Sequence, residues 1–136
     1  MRANLNAAIQ YAQHHPFDVK QRVCAILIPV DKRGRNQSYW AIGYNKPKSH
    51  PLQKKFGRNV HSIFPHAEID AIIQANREGY NISGARIFVA RVLKDGTPAL
   101  AKPCKGCQKA LLQYEIEEVW YTTNGGDDYI NLYEDD

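Results

Sequence analysis

Long apolar runs, cysteine pairs and repeats are all scarce in this chain. The longest apolar stretch, Val23 to Val30, is far short of the roughly 20 residues that cross a bilayer. Three cysteines cannot build a disulfide framework, and an odd number leaves one unpaired. The first six residues, Met1 to Asn6, hold no apolar stretch of signal-peptide type. No segment repeats and none is of low complexity. These absences argue against a membrane partner and predict a cytoplasmic protein in a reducing compartment, where cysteines serve as metal ligands or core residues. The 136 residues fit one domain, 1–136, long enough to bury a core without covalent staples. A hydrophobic share of 43% and a charged share of 24% are near globular averages, which excludes a disordered chain, a collagen-like fibre or a coiled coil.

Acid is also missing where it would be expected to balance base. The net charge is +4, yet five acids (Asp127, Asp128, Glu134, Asp135, Asp136) fall in the last ten residues with no Lys or Arg among them. The rest of the chain therefore sets 18 cations against nine acids, net +9. A basic body over an acidic tail (124–136) fits an anionic ligand, a nucleotide or a nucleic acid, or simply a well-solvated surface.

Hydrophobic periodicity places the elements. Leu5, Ala8, Ile9 and Ala12 are at helical spacing, and Pro16 ends that pattern. Residues 21–30 read as a buried strand, 31–36 as a turn, and 38–44 as a hairpin partner. A basic loop follows over 45–65, with Lys46, Lys48, Lys54, Lys55 and Arg58 and no acid. A helix is predicted over 66–78 with Gly79 as its stop, a strand over 85–93, a turn over 94–98, a helix from near Pro103 and a strand over 116–123. The tail around Tyr129–Tyr133 offers a short edge strand. The order is α/β, with at least four strands and helices packed on them. Cys24, Trp40 and Trp120 are expected in the core.

Two short segments carry chemistry: Pro65-His66-Ala67-Glu68 and Pro103-Cys104-Lys105-Gly106-Cys107, each at a predicted helix start. Cysteines three apart reach one ion, Pro103 suits the first helical position, and the positive helix end favours thiolates. With an imidazole from His66, three N and S ligands leave a fourth position open, the arrangement of catalytic rather than structural zinc. Glu68, two residues from His66, points elsewhere than the ligand and can reach a water at that open position. A CxxC alone is equally a redox motif, and a lone His-x-Glu is ordinarily accidental. Their conjunction in this order is the pattern of zinc-dependent base deaminases.

On these segments, and on Gly43-Tyr44-Asn45, the sequence resembles the cytidine/deoxycytidylate deaminase superfamily over residues 5–123, most closely its small deoxycytidylate deaminases. The resemblance implies a three-layer α/β/α sandwich with a central mixed sheet of four to five strands. It implies one zinc ion per chain on His66, Cys104 and Cys107, and Glu68 as the proton shuttle for hydrolytic attack on C4 of cytosine or C6 of adenine. Asn45 would contact the sugar, main-chain groups of Ala67 and of Pro103–Cys104 the base edge, and Lys46 and Lys48 a phosphate. A homo-oligomer is also implied.

The substrate stays open at this point. Five cations beside Asn45 can neutralise the 5′-phosphate of a cytosine nucleotide, favouring dCMP, or track phosphates of RNA or single-stranded DNA. Phe56, among Lys54, Lys55 and Arg58, can stack on a base or anchor the loop; Phe64, His50 and His61 offer as little distinction. A short acidic end argues against the polymer. A non-catalytic zinc or nucleic-acid-binding module is a further alternative, which has no need of Glu68.

Overall fold

The computed structural model describes residues 2–17, 19, 21–30, 40–45, 66–124 and 126–131. Three helices and six strands run in the order α1 (Arg2–Gln13), β1 (Arg22–Ile28), β2 (Ala41–Tyr44), α2 (Ala67–Arg77), β3 (Arg86–Val92), β4 (Pro98–Ala99), α3 (Lys105–Gln113), β5 (Glu118–Thr123) and β6 (Gly126–Asn131). The strands form one sheet in the order β2-β1-β3-β5-β6, with β4 also paired to β3. β3 and β5 are parallel, with α3 on the connection between them, and every other pair is antiparallel.

Side chains alternate across a strand, so each strand divides its residues between two faces. On one face Cys24, Ile26, Phe88, Ala90 and Val92 bury Leu5, Ala8 and Ala12 of α1. On the other, Ala25, Leu27, Ile87, Val89, Val119 and Tyr121 pack against Ala67, Ala71, Ile72 and Ala75 of α2 and Leu111 of α3. The result is the expected three-layer α/β/α sandwich. Helices cover both faces of β1, which explains why Cys24 to Ile28 are all buried and why the sequence there shows a run rather than alternation.

The helices are placed by their termini as well as their faces. α2 stops where Gly79 takes φ 75°, a left-handed conformation that glycine adopts without a Cβ clash. α3 begins at Lys105, two residues after Pro103, which was expected at the first helical position. Cys104 is the N-cap, its Sγ accepting from the Cys107 N–H at 3.4 Å, so Pro103 precedes the cap instead of filling the first helical turn.

The sheet has more strands than the four to five expected. β4 hides in the turn sequence, pairing Arg91↔Ala99 and Val92↔Pro98. β6 follows a tight turn and pairs along the whole of β5, from Thr123↔Gly126 to Glu118↔Asn131. Cys24 is in the core, as expected, and Trp120 packs partly buried on the α1 face. Trp40 is not in the core: it stands just before β2 and is 37% exposed. Among the described residues no helix is long and apolar enough to cross a membrane. The basic loop, with Lys46, Lys48, His50, Lys54, Lys55, Phe56, Arg58, His61 and Phe64, lies outside the described residues, as does the end of the acidic tail.

Candidate metal centre and active site

Two helix N-termini meet at one end of the sheet because each is tied to a strand. α2 lies directly on β2. A Cβ on Gly43 would overlap the Ala67 carbonyl and the Ala71 amide nitrogen, so only glycine permits this approach. The Tyr44 N–H donates to Asp70 Oδ2 at 2.9 Å, and Gln74 Nε2 donates to Asp70 Oδ1 at 3.2 Å, which fixes the first turns of α2 to the end of β2. The start of α3 is held by the segment leading into it. Thr122 Oγ1 donates to the Ala99 carbonyl (2.6 Å), the Ala101 N–H donates to the Thr122 carbonyl (2.9 Å), and Gln108 Nε2 donates to the Pro103 carbonyl (2.8 Å). Between the helices Ile69 and Ile73 bury against Cys107 and Ala110.

This scaffold brings His66, Cys104 and Cys107 together. Their ligand atoms all lie within 4.8 Å of one another, with His66 Nδ1 at 3.2 Å from Cys107 Sγ and 3.7 Å from Cys104 Sγ. A tetrahedral zinc ion at ordinary bond lengths has N···S edges of roughly 3.6 Å. The donor set and its spacing fit that ion with one position left over.

The electrostatics of the three donors suit a cation. The Cys104 thiol is pulled down to about 4, first by its hydrogen bond with Cys107 and then by His66. Cys107 moves the other way, raised by its bond to Cys104 and by burial, so the pair keeps one proton between them. His66 is raised, chiefly through Cys104. A dication held by these three residues would replace the shared proton and stabilise both thiolates.

Glu68 is 5% exposed and hydrogen-bonded to Cys107. Burial raises its pKa, and this outweighs the bonds that lower it. The carboxyl is thus beside the ligand cluster, in a setting that favours taking up a proton.

The remaining expected site residues have these places. Ala67 is buried in the first turn of α2, its carbonyl against Gly43. Pro103 is buried, and its carbonyl is occupied by Gln108. Asn45 continues β2 and is held on three sides. Its Oδ1 accepts from the Val23 N–H (3.1 Å) and from His15 Nε2 (2.7 Å), while its Nδ2 donates to the Gln21 carbonyl (2.7 Å). The Phe17 N–H donates to His15 Nδ1 (3.0 Å), so in the neutral ring the proton is on Nε2 and points at Asn45. Among the described residues, the second N–H of the Asn45 amide has no acceptor.

His15 and Asp70 were not anticipated from the sequence. Asp70 carries a faint signal, an acid three residues before Ile73 on a helix whose other faces are apolar. His15, in the turn after α1, carries none that spacing can reveal.

Residues 2–123 match the cytidine and deoxycytidylate deaminase zinc-binding region. No protein of curated function matches the chain. Among solved structures, the dCMP deaminase of cyanophage S-TIM5 in its apo form is 22% identical, with a TM-score of 0.54 over 89% of this chain and 83% of that one. The same enzyme in complex with dCMP and dUMP is 21% identical, with a TM-score of 0.55 over 88% and 78%. The cytidine deaminase of Mycobacterium leprae is 14% identical, with a TM-score of 0.48 over 92% and 88%. The cyanophage structures share the fold described above. Nine-tenths of the sequence, with both helix starts inside it, places this chain in the cytidine and deoxycytidylate deaminase family.

Proposed function

We propose that the protein is a zinc-dependent hydrolytic deaminase of a cytosine nucleotide, converting dCMP and water to dUMP and ammonia. The observation that carries this reading is a buried carboxyl, Glu68, beside a three-ligand N and S cluster that leaves one position of a tetrahedral ion open. His66, Cys104 and Cys107 would hold the ion. The chemistry zinc supplies when bound is to lower the pKa of a water molecule toward about 7. Glu68 would take one proton from the attacking water and give it to N3 of the base as the C4–O bond forms, then take the proton of the new C4 hydroxyl and deliver it to the amine as the C4–N bond breaks. Its raised pKa suits a group that must be both base and acid. Main-chain atoms at Ala67 and around Pro103 hold the base edge, and the free Asn45 N–H donates to an oxygen of the sugar.

The same reading takes the whole of 1–136 as one domain, acting in the cytoplasm as a homo-oligomer. These points are supported by the family resemblance and by a composition without disulfide pairs. The dCMP assignment is supported by the net +9 body and its acid-free loop.

Purified protein assayed on dCMP, deoxycytidine, adenosine-bearing tRNA and single-stranded DNA, with metal analysis of the same preparation, tests the proposal. The expected outcome is about one zinc per chain and turnover of dCMP. Turnover of a polymer alone moves the assignment to RNA or single-stranded DNA. A metal-bearing protein inactive on every amine-bearing base is a binding module.

A further inference from the structure

The row of residues across one end of the sheet contains a cation that no carboxylate among the described residues pairs. Val23 of β1 faces Arg91 of β3 in the antiparallel register, and Arg91 faces Ala99 of β4. Asn45 is bonded to both the N–H and the carbonyl of Val23, so it continues the same row on the β2 side. Alternation puts Arg91 on the face of Ile87 and Val89, which is the face of α2 and α3. Asn45, Val23 and Arg91 therefore form one row on the face that α2 and α3 cover, at the end of the sheet where Ala67 of α2 lies against Gly43.

The Arg91 backbone is pinned there, its N–H donating to Thr122 Oγ1 at 3.2 Å. Its guanidinium is not satisfied. Nη1 makes one long bond, 3.4 Å, to the Leu100 carbonyl, on the segment that runs into Cys104. Nε is buried with no hydrogen-bond partner, and among the described residues no carboxylate pairs with this side chain. A buried donor left without an acceptor is uncommon and asks for an explanation, and a guanidinium with a free edge matches two oxygens of one oxyanion.

We propose that Arg91 receives the phosphate monoester of the nucleotide, a task the sequence alone assigned to loop lysines. The inference rests on the deaminase reading for the identity of the nucleotide. It makes Arg91 the residue that separates nucleotide from nucleoside. Arg91 belongs to the sheet rather than to a loop, so a phosphate held by it is fixed relative to the helix starts.

The test compares binding of dUMP and deoxyuridine, by calorimetry, to the zinc-loaded wild-type protein, Arg91→Met and Arg91→Lys. The wild-type protein is expected to bind dUMP about 30-fold more tightly than deoxyuridine. In Arg91→Met that gap should fall below about threefold while deoxyuridine affinity stays unchanged. Arg91→Lys should keep charge but lose the forked geometry, retaining only part of the gap. Should Arg91→Met fail to fold, Arg91→Lys decides. A wild-type protein with no gap, variants that keep the full gap, or equal losses for both ligands overturn the assignment. Turnover of dCMP and deoxycytidine by the same preparations separates the two readings. A protein that shows the Arg91-dependent gap but deaminates neither compound retains the phosphate site and loses the deaminase reading.

Discussion

Burying a carboxyl group is costly unless it is hydrogen-bonded or neutralised, because removing it from water disfavours its charged form. Glu68 is buried at the N-terminus of α2 and hydrogen-bonded to Cys107, but it is not one of the three clustered ligands. Glu68→Gln keeps the shape and removes the proton acceptor. The variant is expected to bind zinc as the wild type does and to lose about 10³-fold or more of kcat on dCMP. Metal analysis and a steady-state assay on one preparation check both halves, and unchanged turnover would remove Glu68 from the mechanism. His15 acts one step further out, orienting Asn45. His15→Ala should raise KM for dCMP by roughly tenfold with little change in kcat, and His15→Gln, which restores a donor, should recover most of it. Cys24 gives a residue-scale effect on stability. Burial, aided by the charge of Asp70, pushes its thiol from 9.0 to about 12. The unfolded chain releases this proton near pH 9 and the folded chain only near pH 12, so the folded state holds more protons between those values. Stability is therefore full below pH 9 and falls as pH rises above it. Urea midpoints should show Cys24→Ala closing on the wild type by about 1 kcal/mol between pH 7.5 and pH 10.

The elements contribute by being unable to move. α2 is held on β2 by the missing side chain of Gly43 and by the Asp70 carboxylate on the Tyr44 N–H. Gly43→Ala puts a methyl group into the backbone of the first turns of α2, where no side chain can turn aside. The expected result is a loss of about 3 kcal/mol or more in chemical denaturation, or failure to fold. These elements differ in how far the sequence revealed them. Helical spacing of Leu5, Ala8 and Ala12 exposed α1, and the Val- and Ile-rich run exposed β1, because local pattern and final burial agree there. β4 was invisible, since two residues, one of them proline, carry no period, and its pairing with β3 is purely tertiary. Trp40 misled for a related reason: strand propensity says nothing about exposure at a strand's edge. In the candidate site, the clustering of His66, Cys104 and Cys107 follows the two motifs that spacing picked out. Asp70, His15 and Arg91 were not picked out, because their partners are 26, 30 and 31 positions away: the Tyr44 N–H for Asp70, the Asn45 side chain for His15 and the Thr122 hydroxyl for the Arg91 N–H.

At the scale of the molecule, an ion on the candidate metal centre would also be a cross-link. His66 begins α2, and Cys104 and Cys107 begin α3, so the candidate ligands join two chain segments 38 to 41 residues apart. Without an ion, the helices are left with the small apolar contact of Ile69, Ile73, Cys107 and Ala110 and with a shared proton between two thiols. A ligand that binds the folded chain and not the unfolded one raises stability by RT ln(1 + [L]/Kd), a few kcal/mol for a tight site. Stripping the protein with a chelator at pH 7 should therefore lower Tm by about 5 °C or more, and stoichiometric zinc should restore it. Because the thiolates must shed protons to bind, the zinc-dependent part of Tm should shrink as pH falls toward 5. A Tm indifferent to both chelator and zinc would mean that the cluster of imidazole and thiols forms without metal, and the open coordination position on which the deamination chemistry depends would lose its physical basis.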